Sequence, residues 1–184
     1  MLLRDGAIAP GDSWRAVDDG EDLPAGNVTV TLRRFLAERE QLAARDGEVG
    51  VRINPGEDLA LAASHADAVN TAALVSIIFP AFTDGRGFSV IRSLRRQGYR
   101  GEIRADGSLL PDQFAFLRHC GADTVAIADG EDAQTWLREA RALSLAYQAG
   151  YAPTGARNIL EARAQANRAT LRATAITVAT PEKT

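Results

Sequence analysis

The sequence predicts an α/β protein: about five strand–helix units forming a mainly parallel sheet with helices on both faces, plus a C-terminal helix. A flavodoxin-like open sheet is the first arrangement that fits, and a partial βα barrel is the alternative. Three observations predict this class. Short β-branched runs alternate with longer stretches whose apolar residues recur at helical spacing, a pattern that favours parallel strands and right-handed crossovers. Leu74 to Phe79 is a near-continuous apolar run, as a central strand covered on both faces requires. Residues 27–149 contain no Gly- or Ser-rich linker, so one domain is expected there.

The elements follow in order. Residues 1–26 carry Gly6, Pro10, Gly11, Gly20, Pro24 and Gly26 among many acids. They read as an irregular acidic N-terminal arm with a short hairpin near Trp14. The α/β domain is expected over 27–150. Val28-Thr29-Val30 is its first strand, and Leu32, Phe35, Leu36 and Leu42 mark a helix that Asp46-Gly47 stops. Val49 to Ile53 is the second strand, closed by Asn54-Pro55-Gly56, and Asp58 caps a short helix through about His65. The apolar run Leu74–Phe79 ends at Pro80, and a helix from about Gly87 to Gln97 is capped by Gly98. Glu102 to Ala105 is the fourth strand, Pro111 starts a helix that Gly121 ends, and Thr124 to Ala128 is the fifth. Asp132 caps a helix with Trp136, Leu137, Ala140 and Leu143 on its apolar stripe. Residues 151–184 form a basic C-terminal extension, expected to be helical to about residue 174.

Composition narrows the function classes. The 184 residues carry a net charge of -3, which argues against a surface built for nucleic acid. No apolar run approaches the roughly 20 residues that span a bilayer. One cysteine, Cys120, excludes an internal disulfide and fits a reducing compartment, so a cytoplasmic location is expected.

In parallel α/β proteins ligands bind outside the carboxyl ends of the strands. That rule selects the loop Phe79-Pro80-Ala81-Phe82-Thr83-Asp84-Gly85-Arg86-Gly87-Phe88-Ser89. Gly85 and Gly87 let backbone approach a ligand, and the first helical turn with Arg86 attracts an anion such as phosphate, sulfate or sulfite. The other reading of the same residues is a tight turn in which Asp84 caps the helix and pairs with Arg86. Arg104 is costly if buried unpaired, so it is expected to meet a carboxylate, such as Asp84, or a bound anion. Asp112 and Gln113 open the next helix. The anion-binding or functional candidates are therefore Asp84, Gly85, Arg86, Gly87, Ser89, Arg104, Asp112 and Gln113. No catalytic set is assigned. His65, His119 and Cys120 offer too few ligands for a metal, adjacent His119 and Cys120 point apart on a helix, and no cofactor motif is visible.

The same residues carry a family resemblance. The Asp84-Gly85-Arg86-Gly87-Phe88-Ser89 block, then Leu94-Arg95 with Gly98-Tyr99, Gly101-Glu102-Ile103-Arg104-Ala105-Asp106-Gly107, Asp112-Gln113 and Cys120-Gly121-Ala122-Asp123 together resemble the bacterial domain-of-unknown-function family 934 over roughly 27–148. His119 and Ala122 depart from that pattern, which usually has arginine and an aromatic there. Genes of the family commonly stand beside that of sirohaem-dependent sulfite reductase, and some members carry an oxidoreductase label. The resemblance thus implies a role in assimilatory sulfur metabolism. With no enzymatic constellation visible, the first reading is an accessory protein of assimilatory sulfite reduction that acts by binding a partner protein. The partners expected are sulfite reductase, a small anion (sulfite, sulfate or phosphate) and a second copy of the chain, with neither nucleic acid nor membrane. The alternative is a small anion-binding protein or an oxidoreductase that uses Arg86 and Arg104 at the carboxyl ends of the strands.

Overall fold

The computed structural model describes residues 1–142. The end of the expected domain and the basic extension with its expected helix lie outside the described residues.

An alternation of apolar and polar side chains builds one 8-stranded sheet, in the order β2-β1-β8-β7-β6-β5-β4-β3. Its strands are β1 (Leu2–Arg4), β2 (Ala7–Ile8), β3 (Trp14–Ala16), β4 (Asn27–Thr31), β5 (Val49–Ile53), β6 (Leu74–Phe79), β7 (Glu102–Gly107) and β8 (Thr124–Ala126). From β3 to β8 each strand pairs parallel with the next. At the other edge β1 pairs antiparallel with β8, and β2 with β1. The helices are α1 (Leu32–Ala37), α2 (Arg39–Ala43), α3 (Leu59–Ser64), α4 (Ala66–Val69), α5 (Arg86–Arg96), α6 (Phe114–Cys120) and α7 (Ala133–Ala142). A single 3-10 turn, Pro111–Gln113, leads into α6.

The strand order corrects the flavodoxin-like expectation. A doubly wound sheet reverses its order at a switch point, which puts helices on both faces. Here each new parallel strand adds on the same side as the last, so crossovers of one hand leave their helices on one face. The result is a mixed, mostly parallel sheet curled into a half-barrel, the arrangement expected as the alternative.

Strand alternation sorts the two faces. Val28, Val30, Val51, Ile53, Val75, Ile77, Phe79, Ile103, Ala105 and Val125 share one parity and are buried. This is the helix face: the Phe79 ring meets Phe88 of α5 edge-on at 5.2 Å between centroids. The opposite parity carries Thr29, Arg52, Ser76, Arg104 and Thr124 and lines the concave face.

The arm is less irregular than its composition suggests. Leu2 and Leu3 are buried, and Asp5 and Gly6 take positive φ of 51° and 74°, as the tight turn of a β1–β2 hairpin requires. The arm then changes edges. Its β2 lies at one end of the sheet and its β3 at the other. The stretch from Ile8 to Trp14 reaches at most about 22 Å, whereas a flat sheet of this many strands is about 34 Å wide. The sheet must therefore curl, and the arm closes over its concave side.

Several stops read from the sequence are present as expected. Gly98 and Gly121 follow α5 and α6 at positive φ of 91° and 114°, and Asp132 accepts from Gln134 N at 3.0 Å and Thr135 N at 3.1 Å to cap α7. The helix expected through Arg45 is broken at Glu38 into α1 and α2.

Gly87 sits under the Phe79 ring, where an added Cβ would lie 2.4 Å from Cζ. Gly87→Ala is expected to lower the unfolding free energy by about 1–3 kcal/mol, as overpacked sites do. Gly85 has open space around its Cα and helical φ and ψ, so Gly85→Ala is expected to be neutral or slightly stabilising. Urea midpoints of the two variants check both statements.

Candidate functional site

Two surfaces carry polar groups in organised arrays: the carboxyl edge of the sheet and its concave face.

At the carboxyl edge, the loop between β6 and α5 forms the tight-turn version of the two readings. Asp84 accepts from Arg86 Nε at 2.9 Å, from Nη2 at 2.6 Å and from the Arg86 backbone N–H at 3.1 Å. These bonds from Arg86 hold the Asp84 carboxyl down from its ordinary 3.8 to about 2, and they raise the Arg86 guanidinium in turn. A Cβ added at Gly56 would lie 3.2 Å from Arg86 Nη2, so the loop after β5 abuts the same pair. Gly85 is exposed, Gly87 is buried against Phe79, and Ser89 is an exposed residue of α5. Gln113 ties two loops together: its Oε1 accepts from Leu110 N at 3.0 Å and its Nε2 donates to Phe82 O at 2.9 Å. Asp112 points to solvent beside it.

An apolar ledge stands on this edge. Phe82, Leu110 and Phe116 are large exposed apolar residues. Phe82 and Leu110 line a cleft of about 500 Å³ with Phe79, Asp106, Glu131 and Trp136. Phe116 lies 4.9 Å from Phe88 and stacks on His119.

Arg104 belongs elsewhere. It sits mid-strand in β7 on the concave face, not at the strand tip, and the carboxylates it meets are Asp12 (2.8 and 3.2 Å) and Glu102 (3.3 Å). It shares no partner with Arg86. Pairing across the sheet sets Thr31, Arg52, Ser76, Arg104, Thr124 and Arg4 in one register row. Arg52 donates through Nη2 to Asp18 Oδ1 at 2.6 Å and to Val17 O at 2.7 Å. Glu102 also accepts from Thr124 Oγ1 at 2.7 Å and from Arg4 Nη2 at 2.7 Å. Among the described residues, three buried side-chain atoms have no partner: Arg52 Nε, Ser76 Oγ and Arg104 Nε. They occupy consecutive strands of that row.

The structure places Asp84, Gly85, Arg86, Gly87, Ser89, Asp112 and Gln113 toward the carboxyl edge and Arg104, expected beside them, on the concave face. Sequence reasoning missed Arg52, Ser76, Asp12 and Asp18. Parity was the available signal, since Arg52 and Ser76 are polar positions inside otherwise apolar strands.

Cys120 is buried, and burial pushes its thiol up, the reverse of an activated thiolate. Among the described residues no cluster of His, Cys, Asp and Glu has the makings of a metal site, and no helix is long and apolar enough to cross a membrane.

A family model described as a bacterial protein of unknown function (DUF934) matches residues 50–156, more than half of the chain, and the chain belongs to that family. No curated protein matches the sequence. The matched span takes in both the Asp84–Arg86 turn and the row residues Arg52, Ser76 and Arg104, and it begins after the arm that carries Asp12 and Asp18.

In a pH titration followed by NMR, the Asp84 carboxyl is expected to titrate near pH 2 and to return toward the ordinary range of about 4 in Arg86→Ala. A folded pKa below the unfolded one means that the pair's stabilisation is present above about pH 4 and is lost as pH falls through 2. Normal titration in the parent protein refutes the pairing.

Proposed function

We propose that this member of the DUF934 family is an accessory protein of assimilatory sulfite reduction, working in the cytoplasm by docking on sirohaem-dependent sulfite reductase. The link with sulfite reduction comes from the family resemblance and its gene neighbourhood. The observation that carries a docking role is the ledge of Phe82, Leu110 and Phe116 on the carboxyl edge. Single exposed apolar residues are ordinary, but several on one edge mark an interaction surface. They are supported from beneath: Phe116 rests on Phe88, Phe88 on Phe79, and Gln113 fixes the Phe82 backbone.

An anion-binding protein or oxidoreductase working jointly through Arg86 and Arg104 has less support. Arg86 lies in the carboxyl-edge turn with Asp84, and Arg104 lies mid-strand on the concave face with Asp12 and Glu102, so one ligand does not meet both.

A tagged full-length chain is expected to retain purified sulfite reductase on a column. Phe82→Ser combined with Phe116→Ser is expected to reduce retention at least tenfold with little change in melting temperature, since both side chains are half exposed. If the parent chain retains no reductase and a strain lacking it reduces sulfite normally, the proposal is wrong.

A further inference from the structure

We propose that Arg52, Ser76 and Arg104 form a binding site for one compact oxyanion, of the sulfate, sulfite or phosphate class, on the concave face of the half-barrel. In this reading Asp12 and Asp18 of the arm hold the anion's place. The site is separate from the carboxyl-edge ledge and independent of the partner reading.

The first observation is position. Arg52, Ser76 and Arg104 are paired neighbours on β5, β6 and β7. The arginines therefore stand about 9.6 Å apart at Cα, two strand spacings, with the hydroxyl between them. Curvature of the sheet tips their ends toward one another.

The second is the unmet hydrogen bonding. Ser76 is 3% exposed and Arg104 6% exposed, yet Ser76 Oγ and Arg104 Nε have no protein partner, and neither has Arg52 Nε. Nearly all buried polar atoms are paired in native proteins. Three unpaired donors on consecutive strands call for an acceptor with several oxygens.

The third is the occupant already there. Asp12 takes both terminal nitrogens of Arg104 and Asp18 takes one of Arg52. A guanidinium fork fits any planar or tetrahedral oxyanion as it fits a carboxylate. One dianion replacing two aspartates leaves the local charge unchanged. Glu102 does not oppose it, being neutralised by Arg4 on its far oxygen and bonded by Thr124. A cleft of about 430 Å³ beside Asp12 and Trp14 opens on the Arg104 end of the row.

The test is calorimetric titration of the full chain with sodium sulfate, sulfite and phosphate in turn, against chloride at matched ionic strength. Saturable binding of at least one oxyanion, and none of chloride, is expected. Asp12→Asn with Asp18→Asn is expected to tighten it at least tenfold, because the competing carboxylates are gone. Ser76→Ala, a small change that spares the fold, is expected to weaken it severalfold, and Arg104→Gln at least tenfold. Arg86→Ala is expected to leave it unchanged. The inference is overturned if neither the parent nor the double-Asn variant binds any oxyanion, which means that water satisfies these donors. Binding that Ser76→Ala and Arg104→Gln leave unaltered, or that Arg86→Ala abolishes, overturns it as well.

Discussion

A chain segment too short to cross a flat sheet sets the shape of this molecule. The arm starts at one edge, as β1 and β2, and resumes at the other as β3. Both ends are anchored by ladder pairing, so the sheet between them has to bend. Bending gives a convex face and a concave face with different needs. Crossovers of one hand place the helices outside, over the apolar parity of the strands. Among the described residues nothing helical remains for the inside, and the arm is what covers it.

That division explains where the charges sit. A strand side chain facing the concave side is shielded by the arm and by its neighbours without meeting a helix. An apolar residue there finds cover, as Leu74 does. Arginines there need partners, because an unpaired buried cation costs several kcal/mol. Asp12, Asp18 and Glu102 supply them. At the amino edge a comparable economy operates: Arg95 donates to the Gly121, Tyr99 and Gly101 carbonyls and to Asp123, which also accepts from Ile103 N. That arginine has its bonding capacity filled and reads as a structural clamp. Arg52 and Arg104, each with a buried Nε left over, do not.

The sequence made the central sheet and its helix stops readable for local reasons. β-Branched runs, a proline at the start of the turn before α6, and glycines after α5 and α6 act within a few residues of themselves. The sense of winding was not readable, since a reversal of strand order leaves no mark on the periodicity of either strand. The arm had one overlooked local signal, Asp5-Gly6 between short apolar pairs, which the structure turns into a hairpin. Its other contacts carry no local signal at all: Arg104 and Asp12 are 92 residues apart, and Arg52 and Asp18 are 34 apart. The carboxyl-end rule was useful for the Asp84–Arg86 turn but drew attention away from mid-strand positions. In a half-barrel those positions face a covered interior instead of a second layer of helices.

The pairing on the concave face is asymmetric in a way that bears on its role. The Arg104 side chain is 7% exposed and Arg52 22%, whereas Asp12 and Asp18 are 40% and 74% exposed. The cations are carried by strands whose register fixes their backbone, while the anions arrive from the solvent side on a connecting segment. A structural ion pair gains most when both members are held and shielded; an exposed carboxylate is screened and hydrated, so its exchange for another anion costs little. The guanidinium groups, by contrast, are carried by strands paired on both sides. A pair of cations on the sheet, more shielded than the anions that face them, is the arrangement of a site whose counter-charge is exchangeable, and in this fold the arm is the only described element placed to make the exchange.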